Sequence, residues 1–257
     1  MKRIAALTML AAPLTAQAQD TGNLVRFVSC PTYRDADSGR KSGCWLADDP
    51  VTGRRWDVSL SPYKPDWNFA ILVEGRVGAA GPEACGAPVL SPVRTSRLLD
   101  RPCTRHMLPA EGFPGRRYKL SGRYIDPISV ARAVPQGPYN ERTFPVYFEF
   151  DNDFLIYQYD DYLLDKADTW LKAAKPKKVV VTGYAATLPE TVSGLRLAER
   201  PEVARERAEM VGESLRRLIP GLAVDIRTRT AAQPTDDPEA DGIPGQSQRR
   251  VEIRALF

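Results

Sequence analysis

The chain contains a single histidine, His106, among its 257 residues. A metal site built on imidazole ligands needs further histidines, so a histidine-based metal centre is not indicated. Serine–histidine–acid catalysis would need partners for His106 that the sequence does not place, and no other nucleophile has a recognisable base. We therefore interpret His106 as a structural or surface residue. We expect no enzymatic activity, including cell-wall hydrolysis, and no cofactor or metal.

Cysteine is absent from the second half of the chain, and the first half has four: Cys30, Cys44, Cys85 and Cys103. None of them has the C-x-x-C spacing of a zinc site. An even number in an exported chain instead predicts two disulfides, with three pairings possible. We favour the local pairs Cys30–Cys44 and Cys85–Cys103. Each pair would close a loop of roughly 15 residues, which is worth about 3 kcal/mol in the chain-entropy model.

Long apolar runs are also missing, apart from one at the start of the chain. Lys2 and Arg3 precede an apolar stretch over residues 4–14, and Ala16-Gln17-Ala18 follows as a small-x-small cleavage site. This pattern is typical of a secretory signal peptide of residues 1–18, with the mature chain beginning near Gln19. No later stretch approaches the ~20 apolar residues of a membrane helix. The mature product is therefore expected to be exported and soluble, without a transmembrane segment.

No strong excess of one charge is present. The formal net charge of +4 falls to +2 when Lys2 and Arg3 are removed with the signal peptide. Such a balance lacks the basic excess that polyanion binding requires, so a nucleic-acid partner is not predicted.

Residues 19–126 show short alternating segments separated by loops, without a helical stripe. This pattern predicts a small all-β domain, either a barrel or a sandwich. Two of its segments, FAILVEGRV and VLSPVRTSRLL, resemble OB-fold barrels. The predicted strands are 24–28, 56–60, 69–77, 89–99 and 118–125. Residues 127–143, with three prolines and a glycine, read as a semi-rigid linker.

Residues 144–257 have a different pattern, in which strands alternate with helices. A strand at 146–150 precedes a helical stripe that ends at Pro176, and a second stripe follows the strand at 179–183. Two further strands at 222–227 and 250–256 complete the order β-α-β-α-β-β. This order predicts a two-layer sandwich with both helices on one face of a mixed sheet, so the whole chain is expected to be α+β.

The segments VYFEFDND, VVVTGY, VARERAEMVGESL and QRRVEI occur in order within this second half. In sequence and spacing, residues 144–257 resemble the OmpA-like C-terminal domain. The resemblance implies a periplasmic protein that binds peptidoglycan non-covalently, through the diaminopimelate of the stem peptide. In that family an aspartate of G-H-T-D receives the ligand ammonium, and a helix arginine pairs with its carboxylate. A guanidinium suits this task because it can grip a carboxylate with two hydrogen bonds.

This sequence departs from the family at the G-H-T-D motif. Gly183 is kept, but Tyr184 replaces the histidine and Ala186 replaces the aspartate, whereas the helix arginine persists as Arg207. Arg200 replaces an asparagine that precedes the helix. The candidate ligand-binding residues are Asp151, Asn152, Tyr184, Ala185, Ala186, Arg200, Arg207 and Arg249.

Two functions follow from these residues. In the first, Arg207 faces an open cleft and binds peptidoglycan, with Glu190, Glu199, Glu202, Asp151 or Asp153 as candidates for the missing acid. In the second, the cell-wall site has decayed, and the protein is an interaction module whose β domain docks an envelope protein partner.

Overall fold

The structure, a computed structural model, describes residues 22–37, 42–79, 83–116, 125–127, 129–155 and 160–257. It confirms an α+β fold with an all-β first half and a mixed second half. The predicted signal peptide with its cleavage site, and residues 118–124 of the predicted strand 118–125, lie outside the described residues. Among the described residues, no helix is both long enough and apolar enough to cross a membrane.

Seven described strands build the N-terminal domain. They are β1 (Leu24–Ser29), β2 (Pro31–Arg34), β3 (Cys44–Asp48), β4 (Arg55–Asp57), β5 (Phe69–Val77), β6 (Leu90–Pro102) and β7 (His106–Leu108). Strands β1, β5 and β6 form an antiparallel sheet in the order β1-β5-β6, and the other four form a sheet in the order β4-β3-β2-β7. Strands β2, β3 and β7 were not predicted from the sequence, and they have only three to five residues each.

The two sheets pack face to face as a sandwich, and the described strands form no closed barrel. Side chains from both sheets share one apolar cluster, in which Phe27, Ile71 and Val73 meet Ala47 and Trp56. The sandwich alternative is thus the correct one, and the barrel expected from the OB-fold resemblance is not formed by the described strands.

The opposite face of the β1-β5-β6 sheet is buried as well. Val28, Leu72 and Leu98 pack there against residues of the C-terminal domain, among them Val192 and Phe150. Because successive strand residues point to opposite faces, a strand between two layers is apolar on both. This explains why β5 is buried along most of its length, rather than at alternate residues.

The predicted disulfide pairing is wrong. The structure joins Cys30 to Cys103, with Cα atoms 5.8 Å apart, and Cys44 to Cys85, with Cα atoms 5.9 Å apart. Strand β2 pairs in parallel with β7, which brings Cys30 and Cys103 together at the starts of these strands. Pairing across the sheet thus prevails over proximity in sequence. Asp57 lies beside Cys44 and Cys85, but both sulfurs are held in the disulfide and do not serve as thiolate ligands.

The C-terminal domain follows the predicted order, with a hairpin added between β9 and α2 and two short helical segments added before β13. Its elements are β8 (Arg142–Tyr147), α1 (Asp160–Ala174), β9 (Lys178–Tyr184), β10 (Glu190–Val192), β11 (Leu195–Leu197), α2 (Val203–Leu218), β12 (Val224–Arg229), a 3-10 turn (Pro238–Ala240), α3 (Pro244–Gln248) and β13 (Arg250–Leu256). The sheet order is β12-β9-β13-β8, with β12 parallel to β9 and β13 antiparallel to β9 and β8. Helices α1 and α2 pack on one face of the sheet around a common core.

The added hairpin is formed by β10 and β11, which pair antiparallel within the segment between β9 and α2. Ser193 and Gly194 make its two-residue turn, and both have positive φ (50° and 76°). Two consecutive residues with positive φ are typical of the turn that matches the twist of a two-stranded ribbon.

The segment predicted as a linker is bound to the C-terminal domain in its described part. Nε of Arg132 lies 3.2 Å from a carboxylate oxygen of Asp165 on α1, and the ring of Tyr139 packs edge-on against Trp170. Strand β8 then begins at Arg142, four residues before the predicted strand start.

Candidate functional site

The predicted site residues meet at one edge of the C-terminal sheet. Strands β8 and β9 both run antiparallel to β13, so they are parallel to each other and end at the same edge. The turn after β8 carries Asp151 and Asn152, and the loop after β9 carries Ala185 and Ala186. Helix α2 begins at this edge, with Arg207 near its start.

Gly183 permits the helix to approach this closely. A Cβ atom at this position would collide with the carbonyl oxygen of Ala204 in the first turn of α2. Glycine is therefore required here for packing of the helix start onto strand β9, not for contact with a ligand.

Arg207 does not face an open cleft, contrary to the expectation from the sequence. Its side chain is 0% exposed. Nε donates to the carbonyl oxygen of Asn152 (2.8 Å), Nη1 to that of Tyr184 (2.9 Å) and Nη2 to that of Glu149 (2.9 Å). A guanidinium has five N–H donors, and these backbone bonds use three of them.

Glu199 takes the other two donors. Its Oε1 accepts from Nη2 of Arg207 (2.6 Å) and its Oε2 accepts from Nη1 (3.1 Å), which is the two-pronged geometry that a guanidinium forms with a carboxylate. The same carboxylate accepts the backbone N–H of Asp151 (2.8 Å) and of Ala186 (2.6 Å). The chain's own glutamate therefore occupies the position at which the family resemblance places a ligand carboxylate.

The pKa of Glu199 reflects this arrangement. Burial by itself raises the pKa of this carboxyl, but the charge of Arg207 and its hydrogen bonds outweigh burial and hold the pKa below its ordinary value. Glu199 is therefore an ionised partner of Arg207 at neutral pH.

The hairpin positions Glu199, which follows β11 by two residues. Its turn residue Ser193 accepts a hydrogen bond from the backbone N–H of Val28 through Oγ (3.1 Å), and Glu190 forms an ion pair with Arg26. Val192 and Leu197 pack into the apolar cluster beneath the β1-β5-β6 sheet. The N-terminal domain thus holds the hairpin in place, and the hairpin delivers Glu199 to Arg207.

Of the remaining predicted residues, Asp151 and Asn152 line a cavity of about 280 Å³ together with Tyr63 and Arg97, and Arg207 does not line it. The Tyr184 hydroxyl donates to Glu252 (2.8 Å), and its ring lies 4.0 Å from the guanidinium carbon of Arg250, so only its carbonyl oxygen reaches Arg207. Ala185 is fully buried. Arg200 is paired with Asp151 (3.0 Å) and with Glu206 (3.1 Å).

Arg249 lies near the site, but its guanidinium points to the N-terminal domain. Its Nη2 donates to Glu74 of β5 at 2.5 Å. Next to this pair, Nη1 of Arg94 in β6 donates to Glu149 (3.3 Å), and the Ser96 hydroxyl donates to the same carboxylate (3.1 Å).

We call Glu74, Arg94, Glu149 and Arg249 the interdomain ion cluster. Each of the four side chains is only 1% exposed. Glu74, Arg94 and Glu149 were not predicted as site residues. For the two glutamates, the available signal is an acidic residue within a mostly apolar strand segment, FAILVEGRV and VYFEF. Lysine, glutamate, arginine and aspartate are almost never fully buried without a partner, so such residues indicate a buried ion pair.

Comparisons with known proteins find structural likeness over about half of the chain. No family model matches the chain, and no curated protein matches it. Similar solved structures include the OmpA-like domain of FopA1 from Francisella tularensis subsp. tularensis SCHU S4, with 18% identity over 45% of this chain and 71% of that one (TM-score 0.34). They also include the cell wall anchor of the T6SS from Pseudomonas aeruginosa, with 21% identity over 45% of this chain and 81% of that one (TM-score 0.33).

A third similar structure is the periplasmic domain of MotB, with 16% identity over 54% of this chain and 90% of that one (TM-score 0.30). These likenesses cover about half of this chain and do not establish what it binds.

Proposed function

We propose that this protein is a non-catalytic scaffold of the cell envelope that binds protein partners and does not bind peptidoglycan through Arg207. One observation carries the proposal: all five donors of Arg207 are occupied by the chain itself, two of them by the carboxylate of Glu199. Because the chain itself supplies the carboxylate that pairs with Arg207, we interpret Arg207 and Glu199 as structural residues.

The energetics support a closed site. A ligand carboxylate that reached Arg207 would have to displace Glu199, which would lose four hydrogen bonds and leave a buried charge without its partner. Removal of one member of a buried ion pair costs about 3–5 kcal/mol. Such a cost lowers affinity for the ligand by a factor between about a hundred and a few thousand. Ala186 adds to this loss, since it offers no carboxylate to the ligand's ammonium group.

Assignment to the envelope is supported by the two disulfides, which persist in oxidising compartments, and by the export signal read from the sequence. The scaffold role is supported by the buried contact between the domains. Two ion pairs of the interdomain ion cluster and one apolar cluster join them.

Sedimentation with purified sacculi of the diaminopimelate type tests the proposal. The mature protein is expected to stay in the supernatant, and sacculi digested to soluble muropeptides provide the control for non-specific sedimentation. Saturable sedimentation that free muropeptides compete away would contradict the proposal, because it would show that Glu199 yields its place to the ligand. Photo-crosslinking in the periplasm then tests the scaffold role: we expect crosslinked proteins, and recovery of muropeptides alone would count against it.

A further inference from the structure

A groove of about 700 Å³ lies between helix α1 and the described residues that precede β8. Its residues are Ile125, Asp126, Pro127, Val130, Ala131, Arg132, Val134, Asp161, Leu164, Asp165, Asp168, Thr169, Lys172, Ala173 and Leu218. Clefts of about 300–1,000 Å³ are the usual size of sites that bind small molecules and short segments.

Arg132 builds one wall of this groove. Its guanidinium donates to the carbonyl oxygens of Asp126 (2.7 Å), Pro127 (3.0 Å) and Val130 (2.8 Å) and pairs with Asp165 on the opposite wall. These three carbonyl oxygens are thereby turned toward one side chain. The groove is a preformed feature of these residues.

The groove is apolar at its rim and acidic along α1. Val130 and Val134 are 45% and 65% exposed, although large apolar side chains usually gain by burial. Three aspartates, Asp161, Asp165 and Asp168, lie along α1 at helical spacing, and Asp126 lies on the other wall. Arg132 and Lys172 supply two positive charges against these four negative ones, which leaves a formal excess of two negative charges.

Asp168 provides a second and independent sign of a ligand. The residue is only 7% exposed, and its Oδ2 accepts a hydrogen bond from Lys172 (2.7 Å). Its Oδ1 is buried and has no hydrogen-bond partner among the described residues. Buried carboxylate oxygens are nearly always paired, so a free one that lines a groove indicates a missing donor. The burial of Asp161, which raises the pKa of its carboxyl, fits the same partly desolvated environment.

We propose that this groove binds a segment of a partner protein in which one lysine or arginine is flanked by apolar residues. The basic side chain lies against the aspartates of α1 and donates to Asp168, and the apolar flanks cover Val130, Val134 and Leu218. Charge complementarity selects this occupant, because an acidic or uncharged segment would leave the acidic stripe without a counter-charge. The groove is separate from the Arg207 site, so this inference stands or falls independently of the closed-site proposal.

Binding of two synthetic peptides to the full mature protein tests the inference. The peptides are acetyl-Ala-Leu-Lys-Leu-Leu-Ala-amide and its counterpart with glutamate in place of lysine, measured by calorimetry at low salt. We expect the lysine peptide to bind, the glutamate peptide not to bind, and the affinity to fall as salt is raised, since salt screens exposed charges. Absence of binding by the lysine peptide at about 1 mM, or equal binding by both peptides, would overturn the inference.

Groove variants and matched control variants test whether the lysine peptide binds in the groove. Asp161→Asn and Val134→Ser alter the groove, whereas Asp225→Asn and Val51→Ser make the same changes at exposed positions elsewhere. We expect each groove variant to weaken binding at least fivefold, by about 1 kcal/mol, and each control to leave it within twofold. Binding that the groove variants do not change would overturn the inference. So would a concentration-dependent dimer that Val134→Ser abolishes, which would identify a second copy of the chain as the occupant.

Discussion

Nη2 of Arg249 donates a 2.5 Å hydrogen bond to Oε2 of Glu74, across 175 residues of sequence and from one domain to the other. Each side chain is only 1% exposed. Gly245 makes room for the contact, because a Cβ atom there would collide with the Glu74 carboxylate. A charge buried this deeply is stable only next to its partner, so the pair couples folding of the two domains.

This coupling predicts the outcome of a double-mutant cycle. Glu74→Met leaves the buried Arg249 without its carboxylate partner and is expected to lower the free energy of unfolding by about 3–5 kcal/mol. Arg249→Met should cost less, because Glu74 keeps an ion pair with Arg26 (3.0 Å). The double variant removes both charges and should lose less than the sum of the two. Urea denaturation with the disulfides intact measures all three.

Arg254→Met serves as the control for this cycle. Arg254 lies on β13, the strand that directly follows Arg249. It is 58% exposed and pairs with Glu141, so its loss should change stability by less than about 1 kcal/mol. Strictly additive effects of the two buried substitutions would show that Glu74 and Arg249 are not coupled.

Glu199→Ala is expected to lower the free energy of unfolding by about 3–5 kcal/mol, because it leaves Arg207 buried without its counter-charge. Glu209→Ala is the control, since Glu209 lies on the exposed face of α2. It should cost no more than about 0.5 kcal/mol. A small effect of Glu199→Ala would mean that Arg207 moves out to solvent, and an equal loss in both variants would mean that the loss does not come from the Arg207 pair.

Two of the buried glutamates, Glu199 and Glu149, predict opposite dependences of stability on pH. The pKa of Glu199 is lowered in the folded protein, so its contribution is complete above its unfolded value of 4.5 and is lost as pH falls below that. The pKa of Glu149 is raised, chiefly by burial, so the folded state holds its proton longer and stability falls as pH rises above 4.5.

Glutamine variants separate these contributions. Glu199→Gln should flatten the loss of unfolding free energy below pH 4.5, and Glu149→Gln should flatten the decline above it. Each slope changes by at most about 1.4 kcal/mol per pH unit, since one proton is involved. Denaturant unfolding from pH 3 to pH 8 measures both. A shared slope for the wild type and both variants would contradict the assignment.

An aspartate at position 186 should not create a peptidoglycan site. In Ala186→Asp, the new carboxylate would lie beside Glu199, whose Oε2 is 2.6 Å from the backbone nitrogen of residue 186. Repulsion between two carboxylates at about 4 Å is worth roughly 1–4 kcal/mol at protein surfaces. We therefore expect a lower unfolding midpoint than in the uncharged control Ala186→Asn, and no sedimentation with sacculi. If Ala186→Asp sediments with sacculi, the lack of an acid at position 186, and not Glu199, is what prevents binding.

The disulfide pairing is directly measurable. Digestion without reduction, followed by mass spectrometry, should yield a fragment joining Cys30 to Cys103 and another joining Cys44 to Cys85. In the chain-entropy model each bond contributes about 4 kcal/mol, because the loops span 73 and 41 residues. Fragments joining Cys30 to Cys44 would contradict the β2–β7 pairing as well.

The C-terminal elements were largely predictable from the sequence, whereas the short strands were not. The stripe Ala204, Ala208, Val211 and Leu215 marks one face of α2, and the alternation in RVEIRAL marks β13. Strands β2 and β7 have only four and three residues, and their pairing depends on segments more than 70 residues apart. A local pattern does not carry that information, which is also why the disulfides were paired wrongly.

The hairpin has a turn sequence from which it could have been predicted. Ser193-Gly194, between Glu190–Val192 and Leu195–Leu197, is a two-residue turn between short segments with apolar positions. Glu199 was one of several acids considered for the ligand's amino group. Its actual partner, Arg207, became apparent only from the folded chain.

Periodicity, cysteine number and residue identity are local properties, so the sequence was enough to predict the α+β fold of the C-terminal half, the number of disulfides and an alanine at position 186 in place of the aspartate that the resemblance implies. Whether Arg207 is exposed or enclosed depends instead on the folded chain. Its state depends on a hairpin held by the N-terminal domain and on one carboxylate eight residues before it. Burial and hydrogen-bond saturation are properties of the surroundings of a side chain, and those surroundings come from distant parts of the chain.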